Sequence, residues 1–159
     1  MSDTVMRDRF NYALSGLLQE TFEQVLGIYL DRGTSLFETL DTISAEEASI
    51  PVGGRCATLA AQVAHVNFYL NVMSDYIQGK QSDKIDWQEI WRTVSAVTPE
   101  EWEASKAALR ETYQRVRAQI HAIESWEGEN EINGALGVIV HTAYHLGEIR
   151  QALCTIQQR

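Results

Sequence analysis

Leu59-Ala-Ala-Gln-Val-Ala-His65-Val-Asn-Phe-Tyr-Leu70-Asn-Val-Met73-Ser-Asp-Tyr-Ile77 is the stretch that decides the fold. Leu59, Val63, Val66, Leu70, Met73 and Ile77 recur at alternating spacings of four and three, the signature of a helix face packed in a bundle. No stretch alternates with period two for long enough to make a strand, and three further blocks repeat the helical period. The chain is therefore expected to be all-α, a single domain over residues 1–159 built on four helical blocks.

Working outward, the first block runs from about Arg7 to Asp31, with Leu14, Leu17, Leu18, Phe22, Val25, Leu26 and Tyr29 as its stripe and Gly33 ending or bending it. Ser35-Leu-Phe-Glu-Thr-Leu40 continues briefly into a polar loop containing Pro51, Gly53 and Gly54. The second block spans about Arg55 to Ile77. The third opens with Thr98-Pro-Glu-Glu101, an N-cap hydroxyl followed by proline and acid, and carries Trp102, Leu109, Tyr113, Val116, Ile120 and Ile123. The fourth runs from about Glu131 to Gln157, where Gly134 and Gly137 lower helix propensity and imply close packing. About twenty residues join blocks two and three, long enough to cross the bundle and make those helices parallel. Within this connection Asp86-Trp-Gln-Glu-Ile-Trp91 reads as a short helix, its indoles either covering the core, the commoner role, or walling a pocket.

Composition narrows the function. The 159 residues, 45 % hydrophobic, suffice for one core, and the two prolines and absence of low-complexity tracts leave no linker. A net charge of −9 repels nucleic-acid phosphates and anionic membranes alike, so neither is an expected partner. No apolar run is long enough to span a bilayer and the N-terminus is too charged for a signal peptide, so a cytoplasmic location with reduced Cys56 and Cys154 is expected.

The chemistry lies in the histidines. His141 and His145, four apart on the fourth block, leave the same helix face with Cβ atoms about 5–6 Å apart and can grip one metal ion. Of the other two, His121 follows the charged Arg115-Val-Arg117 and can point to water, whereas an unpartnered His65 in its apolar run would cost roughly 1–3 kcal/mol. His65 is thus the third ligand candidate. With blocks two and four antiparallel, His65 is level with His141 and His145, and Cys56 and Cys154 fall together about 13–14 Å along the axis, too far away to be ligands. Three neutral imidazoles match a catalytic zinc site with one open position, and nickel is the other plausible ion. Glu148 lies near the same face as an outer acceptor, fourth ligand or base, although a solvated or ion-paired glutamate is commoner, and Gln62 is a candidate outer partner one turn before His65. Glu148 or Tyr144 can orient a nucleophile.

These blocks, the lone histidine on the second, the long connection and His141-Thr-Ala-Tyr-His145-Leu-Gly-Glu-Ile-Arg-Gln-Ala-Leu153 resemble the DinB superfamily, also called the DinB/YfiT-like metalloenzyme fold. The resemblance implies an up-down-down-up four-helix bundle, a divalent metal on His65, His141 and His145, and a homodimer. It also implies, from characterised relatives, a metal-dependent enzyme such as a low-molecular-weight-thiol S-transferase acting on a small electrophilic molecule. The alternative on the same bundle is a non-catalytic metal-binding stress-response or interaction module.

Overall fold

The computed structural model describes residues 2–53, 56–80 and 84–158, with residues 2 and 3 as backbone only. All regular structure among them is helical: α1 Ser2–Phe22, α2 Leu36–Leu40, α3 Ala45–Ala48, α4 Leu59–Ile77, α5 Glu89–Thr93, α6 Pro99–His121 and α7 Glu129–Gln157. None of these helices is long and apolar enough to cross a membrane.

The ends of the long helices follow their caps. The Thr58 hydroxyl accepts from the Ala61 N–H and starts α4 at Leu59, later than the expected start near Arg55, because Cys56 and Ala57 stay outside the helix that Thr58 caps; Gly54 and Arg55 themselves lie outside the described residues. Thr98 and Glu101 form a capping box with Pro99 in the first turn, so α6 begins where its sequence predicts. The first block departs from expectation. Helix α1 stops at Phe22 rather than Asp31, Val25 is only half-buried, and Leu26 and Tyr29 are exposed. The cause is the buried Glu20, whose carboxylate accepts from the backbone N–H groups of Leu26, Ile28, Tyr29 and Leu30 at 2.6–3.1 Å, while Gly27 takes a φ of 85°. Those donors are thereby drawn out of any helical ladder. Helix α3, inside the expected polar loop, is nucleated by a second capping box from Ser44 and Glu47.

The core joins Leu14, Leu18 and Phe22 of α1 to Leu59, Val63, Val66 and Leu70 of α4 and to the buried stripe of α6. Phe22 stacks on Tyr113 with centroids 4.3 Å apart, and the Trp102 indole N–H donates to the Ile43 carbonyl at 2.7 Å. Helix α4 packs chiefly on α6 and α7. Its contacts with α7 run in opposite senses, Gly134 against Ile77, His141 against Tyr69 and Glu148 against Gln62, so this pair is antiparallel. With α6 the numbers rise together, Arg115 reaching Asn71 and Gln119 reaching Ser74, so that pair is parallel. Helix α1 opposes α6, with Ser15 beside His121 and Glu23 beside Tyr113. Gly134 and Gly137 sit where α7 crowds α4: a Cβ at 134 would overlap Ile77, and one at 137 would lie 3.0 Å from the Tyr69 hydroxyl.

Candidate metal centre

The antiparallel register of α4 and α7 brings His65, His141 and His145 to one level. One ligating nitrogen from each lies within 4.8 Å of the others, and Nε2 of His65 is 3.2 Å from Nε2 of His141. Two nitrogens at about 2.0–2.1 Å from a tetrahedral zinc ion stand about 3.3–3.4 Å apart, so this pair fits an ion without rearrangement. His65 and His145 are buried and His141 is half-buried.

The three imidazoles are held neutral. Burial pushes His65 down to about 4, the charge of a protonated His145 adding to it and Glu148 opposing. Burial likewise takes His141 to about 3, with His145 and His65 adding to it. His145 is lowered by burial against the opposing pull of Glu148. A neutral imidazole is the form that ligates a metal.

His145 is also fixed in tautomer. Its Nδ1–H faces two acceptors, Gln62 Oε1 at 2.7 Å and Glu148 Oε2 at 2.9 Å, and Gln62 Nε2 donates to that same Glu148 oxygen at 3.2 Å. With the proton on Nδ1, Nε2 keeps its lone pair for the cluster. The Nδ1 atoms of His65 and His141 are buried without a hydrogen-bond partner among the described residues, so only His145 has this outer support. Glu148 therefore sits on the Nδ1 side of His145. Tyr144 is 62 % exposed, its ring lies edge-on to His145 at 5.0 Å, and the nearby Glu148 carboxylate pushes its phenol up in pKa.

Two aromatic walls complete the site. Tyr69 stacks on His141 with centroids 3.5 Å apart and planes 5° apart, a contact the sequence reading passed over although Tyr69 lies one turn beyond His65. Trp91 lies over His65 at 4.4 Å, whereas Trp87 packs edge-on against Phe68 at 5.7 Å and is 39 % exposed. The short helix is displaced to Glu89–Thr93 from the expected Asp86–Trp91.

His121 is outside the cluster, on α6, with Nε2 3.0 Å from the Ser15 hydroxyl. The cysteines are both free and exposed, but they are not neighbours in the expected sense. Cys56 lines a groove with Gln151, Ala152 and Thr155, whereas Cys154 projects with Arg150, Gln157 and Gln158 from another face of α7. Comparison with protein-family models, curated proteins and solved structures returns no match.

Proposed function

We propose that His65, His141 and His145 hold one divalent ion, zinc or nickel, and that the protein is a metal-dependent enzyme of DinB type. In this reading it acts on a small electrophilic molecule, as a thiol-dependent S-transferase or a hydrolase, on an up-down-down-up four-helix bundle. The observation that carries the reading is the convergence of three neutral imidazoles from two helices, one of them oriented by Gln62 and Glu148. The pairwise directions of α1, α4, α6 and α7 support the bundle. When bound, the ion supplies the Lewis acidity that keeps a thiol or water nucleophile deprotonated near neutral pH. His145 is held by Gln62 and Glu148 in the tautomer a ligand needs; Glu148, on the Nδ1 side of that ring, is assigned to act on the nucleophile through His145, and the neighbouring Tyr144 to orienting it. Tyr69, stacked on His141, and Trp91, over His65, supply the apolar walls of the cluster.

A second reading, the non-catalytic metal-binding module, is favoured by one observation: Trp91 lies over the cluster. A homodimer in a cytoplasmic setting is part of the proposal, supported by Leu136, Val140 and Tyr144, exposed by 40 %, 66 % and 62 % on one side of α7 at successive four-residue steps.

Elemental analysis of protein purified without a polyhistidine tag tests the metal reading. About one divalent ion per chain is expected, lost in His141→Ala and retained in His121→Ala. Substoichiometric metal that does not fall further in His141→Ala overturns it.

A further inference from the structure

We propose that Trp91 is the gate of the histidine cluster: its indole shuts the cluster from solvent and must swing off His65 before a small molecule can enter. The purpose of such a gate rests on the metal-enzyme reading above; the gate itself does not need a metal. His65 and His145 are only 7 % and 5 % exposed, and the indole is the group that covers both, 4.4 Å from the His65 ring with planes inclined 31° and 6.3 Å from the His145 ring. The other aromatic wall, Tyr69, belongs to α4 and is fixed by the helix that also carries His65.

Trp91 is anchored differently. It sits on α5, a five-residue helix with no buried residue, within the connection between α4 and α6. Among the described residues the side-chain ties around this helix lie near the surface: Arg92 pairs with Asp86, both side chains more than half exposed, and Trp87 meets Phe68 edge-on and Tyr69 at 6.1 Å. Exposed ion pairs of this kind contribute little. The next anchors lie beyond the short helix: Val94 packs against the core, and the Ser49 hydroxyl accepts from the Val97 N–H at 2.9 Å. Segments held so lightly open at far lower free energy than packed helices, and turning this one outward leaves α4 and α7 in place.

Carbethoxylation of the metal-free protein by diethyl pyrocarbonate, read histidine by histidine through peptide mass spectrometry, tests the gate. His121, exposed and on another helix, is the internal reference. A stacked aromatic cover closed for about nine-tenths of the time or more slows His65 about tenfold relative to His121, and Trp91→Ala should remove that protection while leaving His121 unchanged. Trp91→Phe should restore most of it. Trp87→Ala removes an indole of the same segment that stacks on no histidine, and should leave His65 protected. The proposal is overturned if His65 reacts as fast as His121 in the unaltered protein, if Trp91→Ala leaves the His65 rate unchanged, or if Trp87→Ala raises it as much. Repeating the measurement with saturating zinc separates the two readings: protection of the three histidines in both the unaltered and the Trp91→Ala proteins supports the metal site, and its absence removes the metal reading while the gate stands or falls on the metal-free rates.

Discussion

Lowering the pH from 7.5 to 5.5 should scarcely weaken metal binding, and the reason lies in the burial of the ligands. An ordinary imidazole with a pKa of about 6.5 is about nine-tenths protonated at pH 5.5, so a site of three such ligands loses roughly a thousandfold in affinity over this range. Here burial takes His65 to about 4 and His141 to about 3, leaving the first about 3 % and the second well under 1 % protonated at pH 5.5, by roughly the same arithmetic. His145 is lowered too, so it alone sets the residual loss, which stays below about tenfold. Competition against a chelator of known affinity, corrected for the chelator's own protonation, measures the ratio directly. A loss approaching a thousandfold refutes the claim that burial keeps these rings neutral; failure to bind at pH 7.5 removes the metal reading instead. The same shifts act on the metal-free fold. Each histidine has a folded pKa below its unfolded value, so the unfolded chain binds more protons between the two, and stability falls as pH drops below about 6.5 by about 1.4 kcal/mol per pH unit per histidine kept neutral.

Three further outcomes are expected. Gln62→Ala and Glu148→Ala each leave His145 with one acceptor fewer on Nδ1 and should weaken metal binding about 10–100-fold in a chelator titration without changing the saturating stoichiometry; an unchanged affinity removes the orienting role. Gly134→Ala should lower stability by about 1–3 kcal/mol in thermal melts because its Cβ overlaps Ile77, and Ile77→Ala should cost less in that background than alone; a stabilised Gly134→Ala variant contradicts the close approach of α7 to α4. Glu20→Gln should cost about 2–3 kcal/mol by setting an amide N–H₂ against backbone donors. Burial raises the Glu20 pKa, but the N–H groups of Tyr29, Leu30, Ile28 and Leu26 outweigh it and hold it below 4.5, so its contribution is present above that pH and lost as pH falls through the folded value. A difference between Glu20→Gln and the unaltered protein that stays the same in denaturant melts from about pH 7 down to about pH 2.5 would remove that linkage.

What the sequence made legible, and what it hid, follows from whether a feature is set along one helix or between distant ones. The seam of α4 and the capped start of α6 are local patterns, and both helices form, α6 from the expected cap and α4 over its seam but starting at Leu59 rather than near Arg55. The end of α1 is not local: Val25, Leu26 and Tyr29 keep the helical period up to the expected stop near Gly33, but the Glu20 carboxylate captures the N–H groups of Leu26, Ile28, Tyr29 and Leu30. Trp91 reaches His65 by the path of a long connection, which periodicity does not specify. The cysteines mark the boundary most sharply. Counting residues at about 1.5 Å each fixes height along an antiparallel pair, and Cys56 does lie at the level of Gln151 to Thr155. Height says nothing of direction around the helix, where each residue turns by about 100°, and Cys154 faces away with Arg150 and Gln157. The histidines carried less of that ambiguity: the four-residue spacing had already put His141 and His145 on one face, and only His65 had both its height and its direction left to be met by the structure, where burial in an apolar run favoured the inward side.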